Sequence, residues 1–442
     1  MAALDKHPDY IGVDCGGTDS GPYDLGSGEN ITHAAEGIRR DLETLLTASH
    51  EKRIPLLIGT AGHAGGEPHL NSTREIIEKI VERKGIHLKI AYVHAEQKRE
   101  FLKEKLSKGK LKALNPWGFS KQYPMSDTII EDSNRIVGVM GIEPYVRALN
   151  MGADVVVAGR SSDPAIVASV AIWKGFPSGP VWHASQIICD GTTDGPNGHP
   201  DGMIARIRKD SFVVEPANPE MKFPVSIAVA LALHETGSPY LLPVPSGIID
   251  TRNCKYEQLS DSEVRVTGSN FRISPDSVKL EGTRRDGFRS IFFGGVRDPQ
   301  IIAQVDEWLD SYKKLLNDNL ENMYGRKLER DEFSINFRVY GKNAVMGPLE
   351  PVKEIKGHEI FVLVEIIAKT EEMSFDIGMR ARQLLSHFDP PKGSKSGNPI
   401  ALPFSPQPLK AGWVYGWTFN HVVEIEDIKE LETMFPIDLV QY

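Results

Sequence analysis

The chain of 442 residues contains only three cysteines, Cys15, Cys189 and Cys254, widely spaced and without a CxxC pair. That excludes a disulfide framework and a cysteine-built zinc centre. No apolar run approaches the length needed to span a bilayer. The N-terminal MAALDKHPDY is charged where a secretory signal needs an apolar core. A cytoplasmic protein without a membrane partner is therefore expected. Positive charge is also scarce. A net charge of −9 leaves no electrostatic footprint for nucleic acid, and the most basic stretch, Lys98 to Lys112, reads as a solvated helix face. No GxGxxG follows a predicted strand, so nicotinamide- or flavin-dependent hydride transfer has no support. HExxH and the GxSxG nucleophile elbow are missing as well.

What is present is a regular alternation. Apolar runs at Tyr10–Asp14, Ile54–Thr60, Leu88–Val93, Ile136–Met140 and Asp154–Ala158 read as strands, Ile54–Thr60 as one buried on both faces. Between and after them, helical periodicity covers Asn30–Ser49, Ser72–Lys84, Glu96–Lys108, Ile142–Leu149 and Asp163–Lys174. This pattern predicts α/β architecture: a doubly wound, mostly parallel sheet over residues 1–190. From about Trp182 the sequence becomes loop-rich and then half-exposed in its strand patterns, so residues 191–442 read as an α+β region packed on the sheet. A helix over Asp298–Leu320, begun by Asp298-Pro299, strands at Phe333–Tyr340 and Glu359–Ala368, a helix at Phe375–His387 and a last strand in FNHVVEIED complete that region. The arginine-rich GTRRDGFR at Gly282–Arg289 reads as a charged hairpin.

Right-handed crossovers place the C-terminal ends of parallel strands on one edge, where such sheets bind ligands. Four loops meet there: DCGGTDSG (Asp14–Gly21), GTAGHAGGEPH (Gly59–His69), VHAEQ (Val93–Gln97) and GRSSDPA (Gly159–Ala165). In the first, Gly16 and Gly17 let backbone amides approach an anion. Asp14 and Asp19 are candidate bases, and Thr18 and Ser20 candidate donors to a carboxylate or hydroxyl. The competing reading is a tight turn in which Asp and Ser cap the backbone. His63 is a candidate acid–base near neutral pH, and His94 a binding residue oriented by Glu96. Arg160 suits a bidentate grip on a carboxylate, assisted by Ser161 and Ser162. Asp163 is either a catalytic carboxylate or a helix cap before Pro164. No metal-ligand spacing stands out, although Asp14, His63 and His94 assembling in space leave a divalent metal open. Cys15 is read as a packing residue.

The segments DCGGTDSGPYDLG, GIEPYVRALNMGADVVVAGRSSDPA, GFPSGPVWHA, FVVEPANPE and PYLLPVPSGIIDTRNCKYEQ together resemble the acyclic terpene utilisation AtuA-like family. The family takes its name from bacterial citronellol and geraniol breakdown, in which branched acyl-CoA thioesters are processed. The resemblance implies a small carboxylic acid or CoA thioester as ligand, and lyase, hydro-lyase or isomerase chemistry beside the carboxylate. It also implies a short form lacking an extra C-terminal domain, a small separate subunit as partner, and a homo-oligomer. Two other readings stand beside this one. IGVDCGGTDS is similar to the first phosphate loop of actin-like kinases, which would make an ATP-dependent enzyme. The chain would otherwise be a subunit active only with its small partner.

Overall fold

The computed structural model describes residues 2–442 apart from 19, 31–32, 115–124, 190–201, 235, 275–276, 330, 393 and 395–396. The chain divides into two compact units, residues 1–284 with 417–442, and residues 285–416.

The first unit is built on a parallel sheet. Strands Ile11–Asp14, Leu56–Gly59, Val155–Ala158 and Lys89–Val93 lie side by side in that order. Successive side chains on a strand point to opposite faces, and here both faces are covered. Leu57, Val93, Val156 and Ala158 pack with Tyr145, Ala148, Ile166 and Val170 from helices Glu143–Asn150 and Asp163–Trp173. Leu56, Ile58, Tyr92 and Val157 pack with Leu42, Leu46, Ile77 and Ile80 from helices Ala35–Lys52 and Glu67–Lys84. Each of the buried Leu, Ile and Val side chains contributes roughly 1.5–3 kcal/mol of transfer free energy. This double coverage is why the strands are apolar throughout, and it makes the N-terminal region the doubly wound α/β layer expected. Two antiparallel sheets follow. One has four strands, in the order Lys255–Gln258, Val264–Thr267, Ser211–Pro216, Met203–Ile207; the other has three, Asn270–Ile273, Gly247–Asp250, Leu241–Val244.

Several segments differ from their sequence reading. The run expected as a parallel strand at Ile136–Met140 forms strand Arg135–Val139, but it pairs antiparallel with Lys279–Thr283 instead of joining the parallel sheet. A doubly buried apolar run looks the same in either setting. The far edge of the parallel sheet is instead the antiparallel strand Ile437–Gln441. GTRRDGFR is no hairpin: it lies inside the strand Ser277–Val296, whose two ends each have their own partner strand. Ser178–Cys189, expected to be largely loop from Trp182 onward, is a helix that buries Val181, Trp182, Ala184 and Ile187. Its polar-looking sequence hides an apolar face set between two small cores. Lys105, in the stretch read as a solvated face, is buried and donates to the Glu424 carbonyl at 3.0 Å and to Glu430 at 2.7 Å.

In the second unit, Phe288–Val296 pairs with Ile360–Ala368, which pairs with Phe333–Tyr340, all antiparallel. Helices Val305–Tyr324 and Glu371–Ser386 supply Trp308, Tyr312, Leu316, Ile377 and Leu385 to a core with Phe292, Val364 and Ile366. The Asp298 carboxylate caps Pro299–Ala303, accepting from the Gln300 amide at 2.7 Å. The helix then restarts at Val305, so the single helix expected from Asp298 is two.

The glycines at the strand ends separate two kinds of turn. Gly65 has φ 65°, and a Cβ there would sit 2.2 Å from the Arg160 nitrogen. Gly21 has φ 79° with nothing within 4 Å. Gly21→Ala is expected to cost about 1 kcal/mol from backbone strain alone. Gly65→Ala adds an overpacking cost of roughly 1–3 kcal/mol on top of that strain. Urea midpoints of the two variants measure the difference, and equal midpoints would contradict the close approach.

Candidate active site

The C-terminal ends of the four parallel strands carry the loops singled out above, held together by backbone contact. The Thr60 amide donates to the Gly159 carbonyl at 3.0 Å, and the Arg160 amide to the Gly65 carbonyl at 3.1 Å. Gly16 packs on Thr60 so closely that a Cβ would meet its side chain at 2.1 Å. Two non-glycine residues of the second loop are in the left-handed region, Thr60 at φ 52° and His63 at φ 81°. A β-branched residue there is an outlier, and each such conformation costs on the order of 1–3 kcal/mol unless its surroundings hold it. Here the hold is visible. The Thr60 hydroxyl accepts from the Ser161 amide at 3.1 Å, and the His63 carbonyl accepts from the Gly17 amide at 3.2 Å.

That second contact changes the reading of the first loop. The Cys15 amide donates to the Gly59 carbonyl at 3.1 Å, the Gly16 amide to the Asp14 carboxylate at 3.0 Å, and the Gly17 amide to His63. Three consecutive amides that a phosphate nest would turn toward its ligand are engaged within the protein. Thr18 accepts from the Gly21 amide at 2.9 Å, closing the turn. Asp19 lies outside the described residues. The Cys15 thiol is pushed up to about 12, by burial first and then by Asp14 and Asp41; it is a thiol at neutral pH and packs in the sheet core.

Past the turn, Ser20 and His63 meet. The Ser20 hydroxyl is 3.4 Å from His63 Nε2. Asp24, in helix Tyr23–Ser27, places a carboxylate oxygen 3.4 Å from the same nitrogen and 3.5 Å from the Ser20 hydroxyl. His63 and Asp24 are both buried, at 7% and 1% exposure, and His63 Nδ1 is itself buried, with no hydrogen-bond partner among the described residues. This is not a Ser-His-Asp relay, in which serine and carboxylate use opposite ring nitrogens. It is a triangle on one nitrogen, with the other nitrogen enclosed by the protein. Burial lowers the His63 pKa below its ordinary value, partly offset by Asp24 and reinforced by His33, whose ring lies edge-on at 5.2 Å. His63 is therefore neutral near pH 7, as a proton acceptor must be. Sequence reasoning named Ser20 as a donor and His63 as an acid–base without pairing them. Asp24 was missed, having no glycine-rich loop around it to single it out.

The remaining candidates have partners of their own. The Arg160 guanidinium grips Glu281 through Nε at 2.8 Å and a terminal nitrogen at 3.3 Å, and Lys279 reaches the same carboxylate at 2.9 Å. Burial alone would raise the Glu281 pKa, but Arg160 and Lys279 hold it down at about 2. Ser161 is fully buried between the Gly159 carbonyl at 2.9 Å and the Tyr145 hydroxyl at 2.7 Å. Ser162 occupies the cap position of the helix whose first residues are Asp163 and Pro164. His94 is clamped by Glu67 at 2.9 Å on Nδ1 and Asp438 at 3.2 Å on Nε2. Glu96, its expected orienter, instead binds Arg135 at 2.7 Å and the Glu67 amide at 2.9 Å. Among the described residues no group of three His, Cys, Asp or Glu side chains is placed to hold a metal ion, and no helix is long and apolar enough to cross a membrane.

A parallel α/β unit with a buried histidine–carboxylate pair at its strand ends is thus the framework for comparison with known proteins. Residues 29–176 match the model of the acyclic terpene utilisation family protein AtuA, and the chain is AtuA-like over that stretch. The match takes in Glu67, His63, His94 and Arg160 and begins after the Asp14–Gly21 loop. No curated protein and no solved structure matches the chain.

Two predictions follow from the ion pairs. The His94 pKa is raised, chiefly by its hydrogen bond to Glu67. Its contribution is therefore complete below the unfolded value of about 6.5 and is lost as pH climbs through the higher native value. The melting-temperature gap between wild type and His94→Gln should be widest near about pH 6 and narrow toward about pH 9; a constant gap would contradict the assignment. Glu281→Ala leaves the Arg160 cation buried without its carboxylate and is expected to destabilise by about 3–5 kcal/mol. A shift below about 1 kcal/mol in urea unfolding, the scale of a surface pair, would argue against a buried bidentate bridge.

Proposed function

We propose that the protein is a cytoplasmic enzyme of carboxylic-acid or acyl-CoA catabolism that moves a proton on the carbon next to the carboxyl group. The observation that carries this reading is His63, buried and neutral, set against the buried Asp24 carboxylate at the C-terminal edge of a parallel sheet. The AtuA match over residues 29–176 supports a role in acyclic terpene or carboxylic-acid utilisation. Lyase, hydro-lyase and isomerase reactions on such acids share one demanding step, removal of a weakly acidic C–H proton.

In this reading the His63 imidazole accepts that proton. Asp24 then stabilises the imidazolium across Nε2, and Ser20 fixes the ring's orientation. In the Arg160–Glu281–Lys279 group two cations share one carboxylate, and Asp163 and Asp14 also act on Arg160. Arg160 acts by fixing the loop, and Glu281 holds it in place. The engaged amides of Cys15, Gly16 and Gly17 weigh against the ATP reading.

The test is exchange of the C–H protons beside the carboxyl group, followed by NMR in deuterated water over a panel of small acids and their CoA thioesters. Wild type should exchange at least one of them. His63→Gln should slow that exchange by roughly 100-fold or more, as for loss of a general base, with Asp24→Asn intermediate. Full exchange by His63→Gln would remove the base from this account.

A further inference from the structure

Within the first unit, a cavity of about 310 Å³ opens beside the loop that carries Ser162. Neither the AtuA match nor the histidine site accounts for it. Its wall is largely apolar, formed by Val139, Val244, Val278, Val422 and Leu431 among others. These come from strands Arg135–Val139, Leu241–Val244, Ser277–Val296 and Leu409–Glu424 and helix Ile428–Met434, five elements far apart in sequence. Most of these residues lie outside the 29–176 match.

The polar groups on the lining are few: Glu143, Ser162, Ser246, Ser277 and Lys279. Glu143 is already engaged, accepting from the Ser246 hydroxyl at 2.5 Å. Lys279 is half exposed, and its ammonium lies 2.9 Å from Glu281, the carboxylate that Arg160 also grips. Glu281 answers two cations at once, and Lys279 is the outward one of them. That charge group runs from the cavity to Arg160, whose field reaches His63. An apolar chamber with one cation and a serine at its lip suits an amphiphile with an anionic head and a compact aliphatic tail.

We infer that this cavity is the tail-binding subsite for a small aliphatic monocarboxylate, with Lys279 meeting the carboxylate and Val139, Val244 and Val278 setting how long a tail fits. The inference rests on the carboxylic-acid reading above and adds where the rest of the ligand goes. Burial of each methylene from water should tighten binding about fourfold until the chamber is full, after which longer tails gain nothing.

The experiment is calorimetric titration of the full chain with straight-chain monocarboxylates of increasing length, from acetate upward, and with the matching primary alcohols. Expected are a rise in affinity with length that then stops, an earlier stop in Val244→Phe and in Val139→Phe, and a loss of about tenfold for acids but not alcohols in Lys279→Met, near the 1.4 kcal/mol of one charge-assisted hydrogen bond. The two filling variants, on different strands, guard against misfolding of either one. If acids bind but their affinity ignores tail length and both filling variants, the cavity assignment falls while the carboxylic-acid reading stands. If no acid binds at any length, the cavity assignment and the free-acid form of the reading above both fall, and alcohol binding with a length limit would mark the chamber as a site for neutral ligands instead.

Discussion

Gly65 lies against the backbone of Arg160, and Gly159 lies against Gly65 and Ala95 in turn, with a Cβ at Gly159 falling 2.7 Å from the Gly65 carbonyl. This backbone-to-backbone contact between strand-end loops is the constraint on which the rest of the site depends. It brings the second and fourth loops of the sheet edge within hydrogen-bonding distance of each other's main chain. It also holds Thr60 and His63 in left-handed conformations that neither residue would adopt in isolation. With the loops pinned, His63 presents its ring to Asp24 and Ser20, and the first loop spends its amides on Gly59, Asp14 and His63. A loop that reads as an anion nest in one dimension is, in three, part of the clamp that positions a histidine.

Two layers of charge surround that clamp. The inner one is desolvated: a buried His63 beside a buried carboxylate. The outer one is ionic. Glu281 neutralises Arg160 and draws in Lys279, and Glu67 and Asp438 hold His94. The outer pairs stiffen the loops and the edge strand Ile437–Gln441, while burial, working against Asp24, lowers the pKa of the inner histidine. This separation of roles lets one sheet edge be both rigid and reactive.

How much of this was legible in the sequence follows from the kind of information each feature carries. The strands Leu56–Gly59, Lys89–Val93 and Val155–Ala158 and the helices after them announce themselves because burial on both faces leaves continuous apolar runs bounded by glycine. The strand Arg135–Val139 is equally apolar, and nothing in its composition says which sheet it joins; its partner lies about 140 residues later. The edge strand Ile437–Gln441 is short and mixed, and only its pairing with Lys89–Val93 defines it. Among site residues, His63 and Arg160 stood out because glycine-rich connectors rarely need such side chains. Glu281 had no local signal at all, lying 121 residues from Arg160 on a strand that pairs with Arg135–Val139. His94 was recognised, but its neighbour in sequence, Glu96, is not its partner in space.

Burial and Asp24 together govern the ionisation of His63. Nitrogen-detected NMR titration of the His63 imidazole measures their balance. His63 should titrate below the ordinary histidine value of about 6.5, and fall further in Asp24→Asn, where a stabilising negative charge is removed. A His63 that titrates at or above that value, or that ignores the loss of the Asp24 charge, would contradict that balance.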